Sequence, residues 1–439
     1  MESPIDTGDT AWVLTAAALV MIMTPGLGFF YAGFTRSKNA LGTIMQSFIV
    51  IGLVGVLWVI VGYSLAFGPT EGGIIGDLSY FGLKDVGLEP AEGSTIPHEA
   101  FMIFQAMFAI ITPALITGAF AERAKFSTFL IFMAAWSLLV YAPVAHWVFG
   151  TGWLSVFAEG DIDALDFAGG TAIHVNAGAA ALAAAIVFGR RSGYGKEPME
   201  PHNVTYVVLG AALLWFGWFG FNAGSAGAAT GQAANAFVVT NTAAAAAALT
   251  WMLSSWALTG KASVIGAAAG AVAGLVAITP ASGFVQPMEA IVIGGIAGVA
   301  CYGAVRLRVM IGLDDSLDVV GVHGVGGLWG GIATGLFAVA AVGGTDGLIE
   351  GNEGQMVDQL VAIGVVALYS FVVTAVILKV LDLTLGIRVS EEDERLGLDV
   401  TQHGERAYVF EEGSIAMPAS ASAPPPPPPP PPPKQSGQS

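Results

Sequence analysis

Cysteine is all but missing from this 439-residue chain: Cys301 stands alone, which excludes a disulfide framework. Charge is scarce as well, at 11% of residues, where a typical soluble protein carries about 25%. Basic residues number 16 against 33 acidic ones, a formal charge of −17 with no basic run, so a nucleic-acid binder is excluded. The opening residues, MESPIDTGDT, lack the basic segment of a secretory signal, and the first apolar stretch is therefore expected to stay in place as a spanning helix. What the chain has is apolar length. Hydrophobic residues reach 54% and mean hydropathy is +0.70, the composition of an integral membrane protein.

Apolar stretches of roughly 17 to 25 residues, enough to cross a ~30 Å hydrocarbon core, can be read between charged or Pro/Gly punctuation. They fall at about 11–30, 40–67, 101–120, 126–148, 167–188, 204–223, 237–258, 262–278, 289–305, 319–340 and 360–385. These predict an all-α polytopic membrane protein with eleven transmembrane helices. Continuous runs, rather than alternation over ten residues, exclude a β-barrel. An odd number of spans separates the termini, and placing the N-terminus outside and the C-terminus inside puts fifteen of the sixteen basic residues on the inner face, Lys84 being the exception. The outer loops are acidic, with Asp77, Asp85, Glu89 and Asp346 among them. That acidity reads either as adaptation to salt or solubility, or as a field that concentrates a cation. Residues 1–386 form the membrane domain and 387–439 a cytoplasmic tail ending in ten prolines, Pro424–Pro433. This run predicts a polyproline II rod of about 30 Å, either a linker or a ligand for a proline-recognising domain.

Ten spans divide into two halves of five, about 11–190 and 204–341, with the eleventh, about 360–385, appended. Five is odd, so the halves are inverted relative to each other, which places a pathway at their interface. The fifth span of each half holds one histidine among glycines: GGTAIHVNAG, Gly169 to Gly178, and VVGVHGVGG, Val319 to Gly327. His174 and His323 are the only histidines well inside apolar spans. Ionisable groups at that depth face a bundle interior, a partner or a water cavity. Either the two are independent structural histidines, or equivalent positions bring their rings together. A facing neutral pair can share a proton and still offer an edge to a small polar molecule. Oxygen ligands for a metal ion are too few, no cofactor motif occurs, and the spans carry no carboxylate pair or nucleophile–base pattern of an enzyme.

Aromatics cluster at the outer ends of the third and sixth spans, in FQAMFAIITPALITGAFAER (Phe104 to Arg123) and WFGWFGFNAGSAG (Trp215 to Gly227). They form an interfacial belt or, through their ring faces, a cation site. Asp166 at the outer start of the fifth span reads as a helix N-cap, a role compatible with a fixed charge near such a site. With these segments, DFAGGTAIHVNAGAAAL (Asp166 to Leu182), GVHGVGG (Gly321 to Gly327), PGLGFFYAGFTRSKN (Pro25 to Asn39) and GIRVSEEDERLGLDVTQHGERAY (Gly386 to Tyr408) closely resemble the ammonium transporter family, Amt/Mep/Rh, and its Amt branch in particular, over nearly the whole chain up to Tyr408.

The resemblance implies a multi-pass protein of the cell membrane, a homotrimer with one pore per subunit, and transport of ammonium and methylammonium. It implies an outer ammonium site of Phe108, Ser225 and an aromatic from the end of the fourth span, with Asp166 supporting it indirectly. It further implies a stacked gate of Phe104 and Phe221, Trp218 as a wall residue, and His174 and His323 as twin histidines. Many members carry tryptophan where AHWVFG places Phe149; Trp147 and Trp153 lie close by, and any of the three completes the cage. The implied mechanism takes ammonium at the aromatic mouth, removes a proton, and passes ammonia between the histidines while the proton moves separately. The alternative is an ammonium sensor signalling through its tail, which in the family meets a PII-type signal protein.

Overall fold

The computed structural model describes residues 5–70, 72–91, 93–155 and 162–409; the polyproline run lies outside them. The described residues form helices and loops with no sheet, only isolated bridges. Ten helices are long and apolar enough to cross a membrane. In chain order, with one shorter apolar helix (α8), they are α1 Thr7–Phe34, α2 Ser37–Phe67, α3 His98–Phe120, α4 Phe126–Val148, α5 Gly170–Phe188, α6 Val204–Gly224, α7 Gly231–Thr259, α8 Val264–Ile278, α9 Pro287–Ile311, α10 Val320–Phe337 and α11 Glu353–Leu385.

Local chemistry sets the ends. Asn203, Thr230, Ser263 and Asn352 each accept a backbone N–H of the helix that follows them, as N-caps do. Helix α8 stops at Ile278 because Thr279-Pro280 follows, and proline disfavours helical backbone before it. Its 15 residues span only about 22 Å at ~1.5 Å each. Helix α5 starts at Gly170 rather than 167, because Gly169 adopts φ 106° and turns the chain into the helix.

Helices α3 and α5 are central, with 83% and 78% of their most apolar stretches buried; α2, α9 and α11 bury only 28–33%. Those outer helices turn Phe48, Val56, Val299, Leu368 and Val376 outward, a surface suited to lipid. Small residues bring helices close where packing lacks a hydrophobic drive. A Cβ on Gly294 of α9 would stand 2.1 Å from the Ala243 carbonyl of α7.

At the end of the bundle opposite the aromatic cluster, charge is buried and paired. Arg191 forks onto Asp314 (2.8 Å) and Glu122 (2.7 Å), and Glu122 also pairs with Arg36 (3.1 Å). Burial alone would raise the Glu122 and Asp314 carboxyls; the guanidinium partners, Arg191 foremost, more than offset it and hold both below the usual carboxylate range. The tail docks on this end. Two short helices, α12 Glu391–Leu396 and α13 Leu398–His403, lie against the loops. The Asp399 carboxylate accepts the Leu41 and Gly42 N–H groups at the start of α2, and Asn39 accepts the Leu398 N–H. Seen from the bundle, this is the tail side.

Candidate functional site: a buried histidine pair beneath an aromatic vestibule

The site is built on two helix starts of the same kind. In each of α5 and α10 the first turn is a wide π turn, Gly170–Val175 and Val320–Gly324, and each holds its histidine. Glycine then allows main-chain contact: a Cβ on Gly178 would lie 2.3 Å from Gly324 Cα, and one on Gly327 would lie 3.0 Å from His174 Cβ. Side chains in place of these hydrogens would push the helices apart. The contact delivers the two imidazoles to each other, His323 Nδ1 to His174 Nδ1 at 3.2 Å, ring centroids 5.3 Å apart and planes 29° apart. One Nδ1 must donate and the other accept, so the pair holds one shared proton and is uncharged overall in its simplest state. His174 is 1% and His323 3% exposed, and His174 Nε2 meets no protein partner. It is a buried polar edge with no protein partner.

Rings continue the column away from the tail side. Trp218 and Phe221 lie 5.4 and 6.1 Å from His174, both within about 26° of its plane. Above Phe221 the stacked ring is Phe108, at 4.4 Å and 25°. This corrects the gate implied by the resemblance: Phe104 meets Phe108 edge-on at 4.9 Å instead. Phe104 and Phe108 are one turn apart on the same face of α3, and the seat of α6 selects between them.

A cavity of about 380 Å³ opens above this stack, lined by Phe104, Phe108, Phe149, Asp166 and Ser225 among others. It is the vestibule. Ring faces and the Ser225 hydroxyl, which donates to the Phe221 carbonyl at 2.8 Å, supply a setting for a small cation. The fourth-helix aromatic is Phe149, 6.4 Å from Phe108. Trp147 and Trp153 pack elsewhere: Trp147 donates its N–H to the Ile74 carbonyl and faces Tyr369 and Trp153. Asp166 is fully engaged. Its Oδ1 accepts the N–H groups of Gly169 and Gly170, and Oδ2 those of Thr171 and Ala172, at 2.6–2.9 Å. It acts as a four-fold helix cap in the vestibule wall, with negative charge placed where the α5 dipole favours it.

One contributor escaped the sequence reading. Thr279 accepts the Trp218 indole N–H at 2.8 Å and thereby fixes the ring beside His174. The signal was present: Ile-Thr-Pro-Ala recurs at 111–114 and 278–281, and Thr112 and Thr279 each donate four residues back. The remaining histidines, such as His146 bonded to the Ala66 carbonyl and His202 to that of Thr35, lie apart from the pair.

Comparisons with known proteins agree on one family. Residues 11–408 match the family described as Ammonium Transporter Family. An ammonium transporter of Bacillus subtilis is 51% identical over 405 residues, covering 91% of this chain and 98% of that one. Ammonium transporter Amt1 of Archaeoglobus fulgidus is 48% identical, covering 91% and 99%. Among solved structures, Candida albicans Mep2 aligns with a TM-score of 0.84 at 41% identity, covering 92% and 90% of the two chains. By these matches, this chain belongs to the ammonium transporter family.

Proposed function

We propose that this protein transports ammonium across the cell membrane. The proposed path takes ammonium into the vestibule, where it gives a proton to water above the Phe108–Phe221 stack, passes ammonia along the histidine pair, and carries the proton separately along the histidines or a water path starting near Asp166. The observation that carries this reading is the 3.2 Å contact between two buried imidazoles beneath stacked aromatic rings. Ammonium and potassium are similar in size, but only ammonium can shed a proton. A permanent cation entering the column would leave water without a compensating charge, a large penalty at membrane depth. Methylammonium fits the same chemistry.

In this reading α8 crosses as well, giving eleven spans, and the vestibule faces outside with the tail inside, as the distribution of basic residues favours. The parallel π turns at His174 and His323 and the repeated Ile-Thr-Pro-Ala support two inverted five-helix halves. Subunits assemble as trimers, and the tail docked through Asp399 is the surface a PII-type signal protein would meet.

Purified protein in proteoliposomes on a supported membrane provides the test. An ammonium pulse is expected to evoke a current together with uptake. Uptake without current would make the transport electroneutral; neither uptake nor current, with ammonium-dependent binding of a partner to the tail, would replace transport by sensing. A second expectation concerns the vestibule. Phe149→Trp enlarges the cation-facing ring and is expected to lower the half-saturating ammonium concentration about two- to fivefold, for a gain of ~0.5–1 kcal/mol. An unchanged half-saturation would remove Phe149 from the cation site.

A further inference from the structure

Polar side chains in the vestibule wall are not bonded alike. Asp166 is saturated by four backbone amides. Ser225 donates its hydroxyl to the Phe221 carbonyl, and Gln232 donates its amide to the Gly283 carbonyl at 2.9 Å. Gln105 differs from these. It borders the same cavity of about 380 Å³ and is only 9% exposed, yet its carboxamide Oε1 meets no partner in the chain.

Position on the helix sharpens the contrast. Gln105 follows Phe101 by four residues and precedes Phe108 by three, so it shares the face of α3 that carries both rings. All three side chains border the cavity. Because α3 runs from the vestibule toward the tail side, Gln105 stands further out than Phe108 by ~4.5 Å along the axis, at ~1.5 Å per residue. An apolar side chain would fill this place at no polar cost, whereas a buried carboxamide oxygen without a partner carries its full desolvation penalty. Such a group calls for a ligand from outside the chain.

The chemistry of that ligand follows from the group. An amide oxygen only accepts, so the ligand must donate hydrogen. Oε1 is the covered end of the carboxamide in the conformation described. Half a turn about the last side-chain torsion, which is broad and two-fold in glutamine, exchanges it with the amide nitrogen. No bond to Oε1 within the chain opposes that turn. A cation in the cavity attracts the oxygen end of the amide dipole, and ammonium supplies both the charge and the N–H groups. Ring faces attract the charge without fixing the direction of any N–H; the carboxamide oxygen fixes one. A divalent metal would need six or more oxygens, and no group of three metal-ligating side chains exists among the described residues.

We infer that Gln105 is a further ammonium-binding residue of the vestibule, whose carboxamide oxygen turns into the cavity and accepts an N–H of the entering cation above the Phe108 ring. The assignment rests on the transport reading. Gln105→Met keeps the length of the side chain and removes the acceptor, whereas Gln105→Glu keeps an acceptor and adds charge. In full-length protein in proteoliposomes, Gln105→Met is expected to raise the half-saturating ammonium concentration about tenfold, the loss of one hydrogen bond to a charged donor, with the maximal rate kept within about twofold. Gln105→Glu is expected to hold half-saturation at or below the wild-type value. An unchanged half-saturation in Gln105→Met, or equal rises in both variants, would overturn the contact, since altered packing alone produces the second pattern. Should Gln105→Met fail to fold, wild-type crystals soaked in thallium(I), an electron-dense monovalent cation, decide: an anomalous peak in contact with the Gln105 carboxamide supports the assignment, and a cavity without one overturns it. Absence of any ammonium flux in the wild type would instead remove the transport reading, while the thallium result would stand by itself.

Discussion

Potassium is expected to enter when a fixed negative charge replaces either histidine. In the proposed path the pair offers neutral edges, so an ion that cannot lose its charge would meet uncompensated desolvation. His174→Asp or His323→Glu would place a carboxylate against the pore and supply that compensation. A charge at the bilayer centre costs ~2.5–3.5 kcal/mol on insertion scales, equivalent to roughly a hundredfold in rate. Rubidium tracer influx into proteoliposomes is therefore expected to rise by one to two orders of magnitude over wild type, while ammonium uptake persists. Unchanged discrimination in both variants, with the proteins intact, would mean that selection does not depend on removing a proton at this column.

The largest loss of stability is expected from the buried ion cluster. Arg191→Met leaves the fully buried carboxylates of Glu122 and Asp314 without their main counter-charge. Breaking such a cluster on one side costs about 3–5 kcal/mol. The thermal midpoint in detergent should fall well below that of Arg190→Met, an exposed arginine bonded to one carbonyl. Arg191→Lys should rescue little, because an ammonium cannot fork onto two carboxylates. The same cluster sets a direction with pH. Glu122 and Asp314 have pKa values lowered in the folded state. Their stabilisation is complete above the unfolded carboxylate pKa of about 4 and is lost as pH falls through the lower folded values. Acid below about pH 4 should thus loosen the tail side before neutral conditions do. A midpoint flat from pH 7 to pH 3 would contradict the pairing.

How much of this was readable beforehand differs from residue to residue. His174 and His323 were conspicuous, because an ionisable group in a long apolar run is rare, and their glycine-rich settings already looked alike. The identity of the ring stacked on Phe221 was not readable. Phe104 and Phe108 share one helix face, and only the packing of α6 against α3 separates them. Helix ends were partly written in the chain: Thr279-Pro280 terminates α8, while the left-handed turn at Gly169 moved the start of α5 by three residues from the apolar boundary. Linear spacing could not reveal the Arg191 cluster, whose members Arg36, Glu122, Arg191 and Asp314 come from four separate connecting segments. The eight-residue interval from aspartate to histidine is present twice; Asp166 stood out because it opens an apolar span, whereas Asp315 lies in a short loop with Asp314 and Asp318 and did not.

Where α5 and α10 touch at Gly178 and Gly324, no compressible group lies between the two main chains. In the proposed path such a joint would set a fixed bore at the level of the imidazoles, since widening it means sliding whole helices. The proposed conduit would then behave as a sieve without moving leaves. Its ceiling on cargo would be girth: amines bulkier than methylammonium should be excluded by shape, however readily the molecule gives up its proton.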